Sequence, residues 1–178
     1  MTIPELIADI ERARADFLAV VAALDESTAS TPIGEGRWSP VQYLEHLVRA
    51  EEVTVWRMFG AVEDHRAGRG TMSSDTPDAS IEEIVDRTWA GDVDAPPLAV
   101  PRLGGSHVYW AARMARNAGL VEALGELLDP SELEAVAYPH PISGAFTIRQ
   151  GLAFIRFHLD RHRGHLTDAG SGPSGVGP

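Results

Sequence analysis

Apolar residues recur every three or four positions along four stretches of this chain, and each stretch opens on a capping signal. Ile3, Leu6, Ile10, Ala13, Phe17, Val21 and Leu24 line one face of a first helix over residues 3–24, with Thr2 and Glu5 as its capping box. Ser39, Pro40 and Gln42 start a second helix with N-cap, first-turn proline and capping box in register. Its stripe of Val41, Leu44, Leu47, Val48, Val55 and Met58 runs to about Phe59-Gly60. A third helix is predicted from His107, after Ser106, to about Leu128, where Asp129-Pro130 ends it; Gly119 and Gly125 within it weaken it or permit close packing. A fourth opens with Thr147 as N-cap and Gln150 at N3, and continues to about Asp168 before Gly170.

The connections are uneven. Residues 25–37 hold Ser, Thr, Pro and Gly and read as a loop. Residues 61–105 are rich in charge, Gly and Pro, and carry one short helix over about 81–90, signalled by Ser80 with Glu83 and stopped at Gly91. Residues 131–137 make a further turn or two, and Tyr138-Pro139-His140-Pro141 is extended, because a residue before proline avoids the helical region. Residues 171–178 read as a disordered tail. With no strand pattern and no repeat, the chain is predicted to be all-α, a single four-helix-bundle domain over residues 1–170.

His158 and His162 stand one helical turn apart, on the face that carries Ile148, Leu152, Ile155 and Leu166. One core histidine is ordinarily satisfied by a hydrogen bond. Two at this spacing, with His46 on the second helix, point to a metal. His46 lies about 9 Å from the start of its helix, and the His158/His162 pair about 18 Å from the start and about 12 Å from the end of theirs. Antiparallel second and fourth helices bring the three nearly level; parallel ones misplace them by about 9 Å. The bundle is therefore expected to run up-down-down-up, with residues 61–105 as the crossover that this order requires. The mouth of the site then falls near the starts of the second and third helices and the end of the fourth. Trp38, Gln42, His107, Tyr109, Trp110 and His165 become candidates for lining the pocket or steadying a ligand. His140 reads as structural, His65 as solvated, and Arg161 and Arg163 as surface pairs or partners of the helix C-terminus.

Composition narrows the chemistry. A net charge of −11 argues against nucleic acid and against an anionic membrane surface. All fifteen basic residues are arginine, a mark of GC-rich coding, so Schiff-base chemistry is excluded; with no cysteine, so are disulfides, thiolate ligands and a cysteine nucleophile. The acidic, amphipathic N-terminus is unlike a signal peptide, and absent cysteine fits a reducing cytoplasm.

Trp38-Ser39, His46 and the late His158-x-x-x-His162-Arg163-Gly164, in that order on four helices, resemble the DinB-like (DinB/YfiT-type) family of metal-dependent bundles over about residues 3–169. The resemblance implies an up-down-down-up bundle, a divalent metal on His46, His158 and His162, and homodimers. It also implies chemistry like that of bacillithiol S-transferases and mycothiol-dependent isomerases. The chain departs from the pattern at His165, where the family has glutamine. The expected function is a metal-dependent transferase that joins a low-molecular-weight thiol to a small electrophile. A hydrolase using metal-bound hydroxide, or a non-catalytic metal-binding stress or dimerisation protein, is the alternative. Imidazole ligands suit zinc or nickel first, with iron, copper or manganese also open.

Overall fold

The computed structural model describes residues 1–69, 72–89 and 95–170. The elements in chain order are α1 (Ile3–Ala22), α2 (Glu26–Ser30), α3 (Pro40–Arg66), α4 (Ile81–Thr88), α5 (His107–Leu127), α6 (Glu132–Ala135), β1 (Ala137–His140), β2 (Gly144–Thr147) and α7 (Ile148–Gly170). The four long helices are those expected, and the capping boxes of Thr2/Glu5 and Ser39/Gln42 both form.

Cross-helix contacts give the directions. Arg149 of α7 donates to the Met1 carbonyl beside the start of α1, and Arg163 further along α7 meets Asp16 further along α1, so these two run parallel. Gly125 of α5 packs on Ile3 and Ile7, whereas Arg14 reaches the Met114 carbonyl, so α5 opposes α1. Glu45 binds the backbone just before α5 and Arg66 the Leu127 carbonyl at its end, so α3 and α5 are parallel. Finally, α3 opposes α7: His46 faces His158, and Met58 faces Gly151. The bundle is up-down-down-up, and its inner faces merge into one core that includes Ile10, Phe17, Leu44, Val48, Met58, Met114, Leu124 and Leu152.

Three features depart from the sequence reading. Residues 25–37 contain α2, started by Asp25, whose side chain accepts from the Thr28 N–H. The second long helix does not stop at Gly60, an exposed position where the missing side chain costs little; fully buried Val62 continues the stripe, and Arg66 is tied to Glu132. Tyr138 to His140 are extended, as expected, but they pair in register with Phe146 to Gly144 as an antiparallel hairpin. Each strand has only four residues, too few to show an alternation against the helical background. The start of the crossover's short helix agrees at Ile81, while its expected stop at Gly91 and the tail 171–178 lie outside the described residues.

Two close approaches lock the packing. A Cβ on Gly125 would lie 2.1 Å from Ile7 Cδ1, and one on Gly151 would lie 2.7 Å from the Tyr138 ring and 2.8 Å from Met58 Sδ. At mid-bundle Arg14 (3% exposed) places two N–H groups 2.8 and 2.7 Å from the two Glu51 oxygens. Removing one partner of such a buried pair strands the other charge. Arg14→Ala should therefore lower the unfolding free energy by about 3–5 kcal/mol. The paired replacement Arg14→Met with Glu51→Leu should cost far less than the sum of the single changes, read by denaturant titration.

Candidate metal centre

The first turns of α3 set one side of the site. Glu45 and His46 are consecutive, so one points toward α5 and the other toward α7. The Glu45 carboxylate, fully buried, accepts the backbone N–H groups of Arg102 (2.6 Å), Leu103 (3.0 Å) and Gly104 (2.9 Å) and pairs with Arg49. Burial pushes its pKa up, but these donors outweigh burial and hold it below the ordinary glutamate value. The end of the crossover is thereby pinned against α3. Three residues earlier, the Ala99 carbonyl lies 2.9 Å from His46 Nδ1. A carbonyl only accepts, so Nδ1 carries the proton and Nε2 presents a lone pair.

That lone pair points into a cluster. His46 Nε2 is 3.1 Å from His158 Nε2, which is 3.0 Å from His162 Nε2. Burial is the main cause that depresses all three imidazoles below their ordinary pKa, and His158 and His162 lie well below it, so the rings are neutral. Two imidazole nitrogens bonded to one ion at about 2.0–2.1 Å stand roughly 2.8–3.4 Å apart. The observed separations fit that span, and the donor atoms of His46, His158 and His162 all lie within 4.8 Å of one another. Each ring has an aromatic neighbour: Trp38 at 4.9 Å from His46, Tyr43 at 5.1 Å from His162, and Phe154 stacked at 5.1 Å on His158.

The cluster opens on a cavity of about 1000 Å³. Its walls come from the 33–38 loop, α3, Trp89, residues 95–99, the hairpin turn at 140–142 and the end of α7. Trp38 and His165, both singled out in the sequence, line it. His165 Nδ1 is 3.3 Å from His162 Nδ1. For His162 to present a lone pair at Nε2 its Nδ1 must be the donor, which makes His165 the acceptor.

The other pocket candidates lie elsewhere. Gln42 caps the start of α3 by accepting from the Ser39 N–H. His107 pairs with Glu26 of α2 at 2.7 Å, Tyr109 is half exposed, and Trp110 is buried with its indole N–H on the Gly104 carbonyl. The reason is the returning crossover: residues 99–104 cover this side of α3, so the cavity wall there is Pro96 to Ala99 and not the start of α5.

Conversely, the hairpin carries a residue read as merely structural into the cavity wall. His140 Nδ1 accepts the Ser143 N–H at 3.1 Å, so its proton sits on Nε2. Burial, helped by Arg57, pushes its pKa down to about 4. Arg161, read as a surface residue, lines the cavity with its guanidinium 5.4 Å over the Trp89 ring. Glu45 and Trp89 also went unremarked in the sequence. Asp and Glu at helix starts are commonplace, and nothing local marks the crossover backbone as the partner of Glu45.

Residues 9–166 match the family model of the DinB superfamily. The chain belongs to the DinB superfamily. A search of the curated proteins found no match. Among solved structures, this DinB chain is similar to TT2238, a four-helix bundle protein, at TM-score 0.63 and 18% identity over 94% of this chain and 99% of that one. It is also similar to YfiT from Bacillus subtilis, described as "a probable metal-dependent hydrolase with an unusual four-helix bundle topology", at TM-score 0.62 and 18% identity over 95% of this chain and 86% of that one. A conserved protein from Enterococcus faecalis follows at TM-score 0.61 and 12% identity over 95% of each chain.

Two outcomes follow for this DinB site. His165→Ala should weaken zinc binding about tenfold, because it removes the acceptor that orients His162, whereas His165→Gln should retain most of it by supplying an amide oxygen. Competition with a chromogenic chelator measures both. Glu45→Gln should cost about 1–3 kcal/mol of stability at neutral pH. Because the folded-state pKa of Glu45 is depressed, its contribution is present above the unfolded value near about 4.3 and is lost as pH falls through the folded value. The gap between wild type and variant should narrow accordingly in unfolding titrations below about pH 4.

Proposed function

We propose that this chain is a divalent-metal-dependent enzyme that joins a low-molecular-weight thiol to a small electrophile. The reading is carried by three neutral, buried imidazoles that converge through Nε2 at the base of an open cavity of about 1000 Å³. His46, His158 and His162 would hold the ion, with zinc or nickel the favoured identity. Three neutral ligands leave an ion its full charge and an open position, so it supplies acidification of a thiol or water placed beside it.

The protein's own groups do the remaining work. Ala99 and His165 hold two of the rings so that Nε2 faces inward. Trp38, Tyr43 and Phe154 confine the rings and keep bulk water from their flanks. Ile33, Trp89 and Ile142 give the cavity apolar walls for the body of an organic electrophile. Pockets for a single small ligand span about 300–1000 Å³, so this cavity is at the upper end of that range and admits a small organic electrophile.

Hydrolysis is the second reading, supported by the name of the YfiT structure and by Asp168, which lines the cavity and offers a proton acceptor. The two are separated by turnover. Metal-loaded protein should exceed metal-free protein with bacillithiol, mycothiol or glutathione against a generic electrophile. Thiol-independent turnover of an ester or amide would instead establish the hydrolase, and no difference between the two forms in either assay would sink both. Elemental analysis should find about one divalent ion per chain in native protein and a loss of at least about 100-fold in affinity in His158→Ala. Since burial depresses the ligand pKa values, binding should persist below the ordinary histidine midpoint near about 6.5 before protons displace the metal.

A further inference from the structure

Acidic residues outnumber arginines in this chain, 26 to 15, so most guanidiniums find a carboxylate. Among the described residues, nine of the fifteen arginines have one within 4.0 Å, and none of these nine lines the cavity. Of the six that have none, three line it: Arg37, Arg57 and Arg161. Arg57 gives one N–H to the Pro139 carbonyl at 3.1 Å, and Arg161 lies over Trp89. Glu35 and Asp168 also line the cavity, yet neither is within ion-pair distance of these guanidiniums. A guanidinium does not lose its proton at accessible pH, so each keeps its charge and its planar fork of donors.

We propose that the cavity selects an anionic small molecule with an apolar body, and that Arg57, Arg161 and Arg37 together supply the positive charge that favours it. This inference rests on the cavity assigned above as the reaction site and specifies the charge of what enters it. Arg161 immediately precedes His162, whereas Arg57 lies eleven residues past His46, about 16 Å further along α3. Positive groups from two long helices and the 33–38 loop thus line the cavity, and Trp38, Trp89 and Phe154, which line it too, suit the apolar body. The His140 Nε2–H adds a neutral donor that stays neutral at physiological pH. A carboxylate or sulfonate engages two such N–H groups at once.

A matched pair of dyes tests this: anilinonaphthalene sulfonate and the uncharged N-phenylnaphthylamine, which share an aromatic body. Both are titrated by fluorescence into full-length protein as purified and again after chelator treatment with metal content measured, so that failure of the metal reading is seen separately. The sulfonate should bind at least about tenfold tighter in both forms, and its advantage should shrink with added salt. Arg57→Ala with Arg161→Ala should lose most of that advantage while binding of the neutral dye, which reports an intact cavity, is unchanged. Arg57→Lys with Arg161→Lys should keep most of it, and Arg116→Ala, an exposed arginine off the cavity, all of it. Equal affinity for the two dyes, binding of neither, a preference confined to metal-containing protein, or one insensitive to salt would overturn the proposal. The salt series needs no substitution, so the outcome stands even where a variant fails to fold.

Discussion

A single buried carboxylate turns a long connection into a wall. Glu45 sits on the first turns of α3 with its oxygens inside the protein, and three successive backbone N–H groups at 102–104 close on it. Without such donors a buried carboxylate is costly; with them it fixes the path of the chain just before α5. That path brings the Ala99 carbonyl onto His46 and sets its tautomer. The crossover that the up-down-down-up order demands is thus the element that orients one of the three histidines.

The bundle is legible in the sequence because its signals are local and redundant. Caps and helical periodicity agree at Thr2, at Ser39 and around Thr147, and the relative depths of His46 and the His158/His162 pair point to the direction of two helices that never adjoin in sequence. The convergence of those histidines is legible for the same reason. What is not legible depends on which backbone lies beside which side chain. His107, Tyr109 and Trp110 are well placed by the helix directions alone, but the returning crossover stands in front of them. His140 reaches the cavity through a hairpin of four-residue strands, below the length at which strand periodicity speaks.

The cavity inverts the character of the chain that surrounds it. Among the described residues of a protein of net charge −11, the arginines paired with carboxylates all lie off the cavity, and the three that line it have no such partner. The surface field that repels an approaching anion at long range is screened within about 8–10 Å at ordinary ionic strength, whereas groups inside a partly apolar cavity are screened less. Recognition and repulsion can therefore act at different distances in one molecule.

His46 is oriented by a main-chain carbonyl and not by a side chain. Every residue type brings the same oxygen to position 99, so exchange of side chains in the crossover leaves that hydrogen bond in place as long as the path of the backbone is kept. The wall of the cavity and the aim of the imidazole are decoupled. A side-chain exchange at Leu98 that keeps the backbone path would reshape what the cavity admits, while the ring behind it keeps its bearing.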